Sequence, residues 1–189
     1  VETACDKHGW ILGYSVHPGN EHDSRTFKPL YDKIKHYHPV MIVADAGYRT
    51  PAIARELLTN GIEPLFLYKS PMLKDFFVNT SIYDEAYDCY LCPENQILSY
   101  RTTNRDGYKE YQSCPEVCVN CPSIHKCTES KKYVKTVIRH IWEEYMEMAE
   151  DIRNKEIYEQ RKETSERIFG TVKEQHGFRS VSYTHLRAH

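Results

Sequence analysis

A strand–helix–strand pattern occupies residues 40–67, which read VMIVADAGYRTPAIARELLTNGIEPLFL. Val40–Ala44 is a continuous apolar run, as expected of a strand that is buried on both faces of a sheet. Thr50-Pro51 has the residues typical of a helix start, and Asn60-Gly61 has those of a helix end. Ile62–Leu67 then predicts a second strand. Strand, helix and strand at this spacing predict a right-handed parallel crossover.

Asp45 follows the first of these strands and begins the run Asp-Ala-Gly-Tyr. It would lie at the carboxyl end of a parallel strand, where ligands bind in open α/β sheets. Gly47 allows the backbone to turn tightly there. Two interpretations of Asp45 stay open from the local sequence, a carboxylate that binds a metal ion and a cap for the turn.

The first forty residues predict a hairpin and a helix. Val1–Cys5 and Trp10–Val16 read as strands around an Asp6–Gly9 turn. The helix has an apolar face at the expected spacing, namely Phe27, Leu30, Tyr31 and Ile34. Asp23 or Ser24 is expected to cap it, and Pro29 predicts a restart or kink near its beginning. A polar group lies at the start of this helix and consists of His17, Asn20, His22 and Asp23. Imidazole and carboxylate could bind a metal ion, but turn formation and capping explain Asn20 and Asp23 without it, so the structural interpretation is favoured.

A second candidate acid, Glu166, lies in the C-terminal part of the chain. Helical sequence is expected from about Val137 to Gln175, and Glu166 lies at the rim of its apolar stripe between Lys162 and Lys173. This arrangement suits a carboxylate that faces a metal ion and lysines that face phosphates. An ordinary ion pair on a solvated helix face is the alternative.

Composition narrows the class of function. The net charge of −2 supplies no bulk cationic field, but residues 101–140 hold eight Lys and Arg against four acids, which permits phosphate binding. No apolar run approaches the roughly 20 residues of a membrane span. No nucleophile elbow, P-loop or dinucleotide fingerprint is present, so covalent nucleophile and nucleotide-hydrolysis functions lack support.

Six of the seven cysteines fall between Cys89 and Cys127. Their C-x2-C spacings favour a zinc site over the two alternatives, disulfides and thiols without a metal ion. The expected ligands are Cys92, Cys118, Cys121 and Cys127, with Cys89 as the alternative. Four cysteine ligands leave no open position for substrate, so the zinc would be structural.

Several motifs in order resemble the DDE transposases of bacterial insertion sequences. The residues that carry the resemblance are DKHG (6–9), PGNEHDS (18–24), ADAGY (44–48), YRTTNRDGY (100–108), the 118–127 segment and RKETSER (161–167). The chain resembles the subgroup that has a cysteine-rich insertion before its last catalytic acid. The resemblance extends from Val1 to about Arg179.

The resemblance implies an α/β fold, a ribonuclease-H-like mixed sheet with flanking helices, interrupted by a small zinc-binding insertion. The expected divisions are 1–68 and 136–179 for the catalytic domain, 69–135 for the insertion, and 180–189 for an unassigned tail. The family's three acids, Asp, Asp and Glu, hold catalytic Mg²⁺ or Mn²⁺. Asp45 would be the second acid and Glu166 the third. The first acid is expected on a strand before Val1, so the chain is interpreted as an N-terminally truncated fragment that is inactive alone.

The family's DNA contacts carry over only in part. Lys173 matches the lysine that is expected to contact phosphate, and Lys162 stands where arginine is usual. Glu159 stands where tyrosine is usual, with Tyr158 one place off. Arg161 and Arg179 are further expected DNA contacts.

The function implied is metal-dependent DNA strand cleavage and strand transfer in transposition. The expected partners are transposon-end DNA, target DNA and a second protomer in a dimer, and the expected location is the bacterial cytoplasm at the nucleoid. Two other functions stay open: a zinc-stabilised DNA-binding remnant of an inactive transposase, and a non-transposing nuclease on the same scaffold.

Overall fold

The computed structural model describes residues 1–66, 81–152, 154, 156–157, 159–160 and 184–188, the last of these by their backbone alone. The chain divides into two compact units, residues 1–69 with 142–189 and residues 70–141. In the described portion, no helix has the length and apolar character needed to cross a bilayer.

The strands and helices alternate in the first part of the chain, and strands dominate the middle. The strands are β1 (Glu2–Cys5), β2 (Ile11–Ser15), β3 (Met41–Ala44), β4 (Glu63–Phe66), β5 (Ile82–Asp84), β6 (Cys89–Leu91), β7 (Ile97–Thr103), β8 (Tyr108–Ser113), β9 (Thr136–His140) and β10 (Thr184–Ala188). The helices are α1 (Asp23–Ile34), α2 (Pro51–Thr59), α3 (Pro115–Cys118), α4 (Ile124–Cys127) and α5 (Glu143–Asp151), with 3-10 turns at Lys35–Tyr37 and Ala46–Tyr48.

The first unit contains a mixed sheet with the described strands in the order β2-β1-β10-β3-β4. The predicted hairpin is confirmed, since β1 and β2 pair antiparallel. The predicted parallel pairing of the two crossover strands is also confirmed, since β3 and β4 pair parallel with Met41 opposite Glu63. The tail, which matched no pattern, supplies β10, which runs parallel to β1 and antiparallel to β3.

The helices of this unit bury the predicted apolar faces against the sheet. Phe27, Leu30, Tyr31 and Ile34 of α1 are all buried. On α2, Leu57 is fully buried, whereas the neighbouring Leu58 is only half-buried. The predicted start of α2 is confirmed, because the Thr50 hydroxyl accepts a hydrogen bond from the Ile53 amide at 3.3 Å.

The predicted cap of α1 is wrong. His22 is the N-cap residue, and its Nδ1 accepts a hydrogen bond from the Ser24 amide at 3.2 Å. An imidazole nitrogen can accept a hydrogen bond from a backbone amide of the first turn, as a hydroxyl or carboxylate does. Asp23 is therefore the first residue of the helix and not its cap. The predicted restart at Pro29 is not seen, since α1 continues through it.

The helix expected from Val137 is also incorrect at its start. Residues 136–140 form β9, which pairs antiparallel with β8, and helix begins only at Glu143. The run Thr136-Val137-Ile138 is β-branched and fits a pleated strand when a partner strand is available. Helix α5 then buries Met146 and Ala149 against Ala54 of α2.

The second unit is an antiparallel sheet with the described strands in the order β5-β6-β7-β8-β9. Its core is a small aromatic cluster around Leu98 and Tyr111, with Tyr83 and Tyr90 packed against them. Residues 82–113 lie within the expected insertion, and most of them form regular strands. Their apolar periodicity is weak because one sheet face is buried mainly by tyrosines.

Candidate active site

Asp45 lies where the sequence placed it, directly after β3 and half-buried. It is the N-cap residue of the 3-10 turn Ala46–Tyr48, and its carbonyl accepts a hydrogen bond from the Tyr48 amide at 3.0 Å. Its side chain makes no capping hydrogen bond to that turn. The cap interpretation therefore applies to its backbone, and the carboxylate is not used for capping.

The turn after Asp45 is anchored in the core by Tyr48. This side chain is fully buried, and its ring meets Phe27 edge-on with the ring centroids 6.1 Å apart. Phe27 in turn stacks on Tyr31, with centroids 5.4 Å apart. Asp45 is thus only three residues from a fixed aromatic cluster.

Gly47 lies directly against the side chain of Asp23. A Cβ at position 47 would overlap the Asp23 carboxylate and would lie 3.0 Å from its Cγ and 3.2 Å from its Cβ. Only a residue without a side chain fits this contact. The glycine predicted to permit a turn is therefore needed for a close approach between the turn and α1.

A buried polar group that the sequence reasoning missed lies nearby in the same unit. Glu2 of β1 is 4% exposed, and its carboxylate accepts hydrogen bonds from the hydroxyls of Ser15, at 3.3 Å, and Thr26. His17 Nε2 is 3.9 Å from the same carboxylate. The sequence signal for this site is Glu2 itself, an acidic residue within the predicted strand Val1–Cys5.

Arg49 connects the other end of the turn to α5. Its guanidinium forms an ion pair with Glu150, and both side chains are partly exposed. Such a pair contributes modestly to stability. It does place a cation four residues after Asp45.

The other predicted catalytic and DNA-binding residues lie outside the described part of the chain. These residues are Glu166, Lys162, Lys173, Arg161 and Arg179. Their positions relative to Asp45 therefore stay predictions.

All seven cysteines lie in the described part of the chain, and none of them forms a disulfide. Burial raises the pKa of the Cys127 thiol; Lys135 lowers it, and the nearby thiols of Cys118, Cys92 and Cys121 raise it further. Cys89 is buried and Cys114 exposed. The four predicted ligands are thus close enough to interact electrostatically.

Two hydrogen-bonded loops carry these four cysteines. The Cys92 sulfur accepts from the Gln96 amide at 3.3 Å, and the Cys121 amide donates to the Cys118 carbonyl at 3.0 Å. Ser123 donates to Glu94 and so connects the two loops. Within the described residues, however, no three Cys, His, Asp or Glu side chains form a group that could hold a metal ion. The described geometry is therefore not a formed zinc site.

Comparison with protein families gives one match. A model described as "Transposase DDE domain" matches residues 91–187, slightly more than half of the chain. The chain belongs to this transposase family. No curated protein and no solved structure matches the chain.

By its family, this chain contains a transposase domain. Transposases are enzymes that transfer phosphoryl groups on DNA. The resemblance seen in the sequence motifs is confirmed at that level. The matched region contains Glu166 and the four predicted zinc ligands but begins after Asp45. It assigns no role to any of these residues.

Proposed function

We propose that this transposase domain cleaves and joins DNA strands with a divalent metal ion held by Asp45 and Glu166. The observation that carries the proposal is the position of Asp45. It ends a strand of the parallel β3–β4 pair, and its side chain is not used to cap the following turn. Carboxylates at such an edge are the hard oxygen ligands that Mg²⁺ or Mn²⁺ prefers.

The metal would stabilise charge at the reacting phosphorus and activate water or a DNA 3′-hydroxyl. The chain's own contribution is to hold Asp45 in place. Tyr48 fixes the turn to the core, and Gly47 allows the turn to approach α1 closely. Ligand oxygens that are held before metal binding lose little conformational freedom when the ion arrives.

DNA binding is proposed to use basic side chains from both parts of the chain. Lys162, Lys173, Arg161 and Arg179 are the candidates carried over from the family. In the second unit, Arg101, Arg105, Lys131 and Lys132 are exposed. Lysine and arginine at such positions bind phosphate oxygens without reading sequence.

The test of the catalytic proposal is the pair Asp45→Asn and Glu166→Gln in the full-length transposase. We expect each substitution to lower Mg²⁺-dependent strand cleavage by about 10²–10³-fold or more, because it removes a group that stabilises the transition state through the metal. Binding to transposon-end DNA should be retained, as a gel-shift titration would show. Asp32→Asn, an exposed carboxylate on α1, is the control.

Three outcomes would contradict this assignment. Cleavage that survives Asp45→Asn would remove Asp45 from the chemistry. A wild-type protein that binds DNA ends but never nicks them would indicate the DNA-binding remnant instead, and products that are cut but never joined would indicate a nuclease.

We also propose that Cys92, Cys118, Cys121 and Cys127 bind one structural Zn²⁺. The spacing of the cysteines and the electrostatic influence of three thiols on the fourth support the proposal. Cys89, which is 7% exposed, is the less accessible alternative. Binding would require the thiols to move closer together than they are in the described geometry.

A further inference from the structure

The N-terminal part of α1 meets the turn that follows Asp45 at two points. Asp23 contacts Gly47, and Phe27 contacts Tyr48. Asp23 and Phe27 are four residues apart, so they lie on the same face of the helix. Gly47 and Tyr48, which are neighbours in the turn, therefore contact the same face of α1.

Each of these contacts restricts the turn in a different way. The Phe27–Tyr48 contact is between two buried rings and holds the side chain of Tyr48. The Asp23–Gly47 contact is between a side chain and a backbone, so it limits where the main chain itself can go. Gly47 is two residues from Asp45, so a shift of the main chain at Gly47 reaches Asp45 through only two peptide units.

Asp23 is itself held in place by the sheet. Its carbonyl lies 3.0 Å from the Thr26 hydroxyl, and the same hydroxyl bonds to the Glu2 carboxylate. Thr26 and Glu2 are 3% and 4% exposed, so this link is shielded from water. The beginning of α1 is thus fixed to β1 on one side and touches the turn on the other.

We propose that Asp23 is a positioning residue for Asp45. Its side chain fixes the Gly47 backbone and so sets where the Asp45 carboxylate is presented. The inference rests on the proposed function, because it concerns the divalent cation that Asp45 is proposed to bind. Asp23 does not itself need to touch that cation.

The first measurement is independent of any metal. Amide hydrogen exchange of Tyr48, whose N–H bonds to the Asp45 carbonyl at 3.0 Å, reports how well the turn is held. We expect Asp23→Ala to accelerate this exchange and Asp23→Asn, which has nearly the same shape, to leave it close to wild type. Glu21→Gln removes an exposed carboxylate near the same helix start and should change nothing.

The second measurement is iron-directed backbone cleavage, in which Fe²⁺ with ascorbate and peroxide cuts the chain beside its binding site. Wild-type protein should be cut near residues 44–47, and Asp45→Asn should abolish the cut. Asp23→Ala should raise the Fe²⁺ concentration needed by about tenfold, the usual effect of losing a residue that orients a metal ligand. The thermal midpoint, followed by circular dichroism, should be similar for Asp23→Ala and Glu21→Gln.

A double substitution tests the contact directly. Gly47→Ala should disturb the turn strongly when Asp23 is present, because the new Cβ overlaps the carboxylate. It should disturb the turn much less when Asp23 is already alanine, so the two effects should not add.

Unchanged Tyr48 exchange in Asp23→Ala, or additive effects in the double variant, would overturn this inference. Wild-type protein that is not cut near Asp45 would instead overturn the proposed function. In that case the exchange rates still decide whether Asp23 positions the turn.

Discussion

Asp88 shows how one residue organises the core of the second unit. It lies in the turn between β5 and β6 with a φ of 46°, a left-handed conformation that aspartate tolerates better than most residues. Its carboxylate accepts hydrogen bonds from Tyr111 at 2.5 Å, Tyr83 at 2.7 Å and Lys109 at 2.9 Å. The Asp88 carboxylate thereby connects its own turn to the aromatic core and to β8.

These donors lower the pKa of Asp88 from 3.8 to about 2. The Tyr111 hydroxyl is the largest cause, followed by the Tyr83 hydroxyl and the Lys109 ammonium group. The carboxylate is therefore charged more readily in the folded than in the unfolded chain. Its contribution to stability is full above the unfolded pKa and is lost as the pH falls from about 4 to about 2.

Asp88→Asn should remove this part of the acid sensitivity. We expect the urea midpoint of wild-type protein to fall between pH 4 and pH 2 by more than that of Asp88→Asn, as measured by tyrosine fluorescence. Asp106→Asn, an exposed aspartate in the turn between β7 and β8, should behave as wild type. Equal acid sensitivity in Asp88→Asn and wild type would show that Asp88 does not carry the effect.

At the scale of elements, α2 is the best-determined part of the chain. Its start at Thr50-Pro51 and its end at Asn60-Gly61 follow from local residue preferences, and Gly61 has the positive φ of 72° that favours glycine. The burial of its face depends on the strands it covers. Leu57 and Leu58 therefore differ in burial, and the sequence pattern alone does not predict this difference.

Leu57→Ala and Leu58→Ala should separate these two positions. Leu57 is fully buried, so its loss should cost about 2–5 kcal/mol of unfolding free energy through lost transfer energy and a cavity. Leu58 is only half-buried, so Leu58→Ala should lower the free energy of unfolding by clearly less. Urea unfolding followed by circular dichroism would measure both, and equal costs would contradict the described packing of α2.

At the scale of the whole molecule, the two units have separate hydrophobic cores. The first unit has a large aliphatic and aromatic core, whereas the core of the second contains two fully buried large residues, Leu98 and Tyr111, with partly buried tyrosines around them. A small core of this kind gains more from a metal ion than a large one does. The proposed zinc should therefore matter mainly for residues 70–141.

Zinc removal is the prediction that belongs to this scale. Protein purified without added chelator should contain about one Zn²⁺ per chain by elemental analysis, and Cys127→Ser should lose it. Chelation should increase hydrogen exchange in β6–β8 but not in β3, because only the second unit contains the ligands. Cys114→Ser, an exposed cysteine outside the proposed set, is the control. Metal-free protein with unchanged exchange would exclude the site.

The amino-acid sequence alone determined the elements whose signals are local. The crossover of β3, α2 and β4, the hairpin of β1 and β2, and the position of Asp45 all depend on apolar runs, caps and turns within about thirty residues. The transposase family was also readable from short motifs.

Tertiary structure decided what depends on residues that are distant in the chain. Residues 136–140 form a strand because β8 supplies the partner for their backbone, which no local pattern shows. Asp23 and Gly47 are 24 positions apart, and only the packing of α1 on the turn brings them into contact. The physical reason is common to both cases. Local preferences differ by about 1 kcal/mol or less per residue, so strand pairing and burial override them.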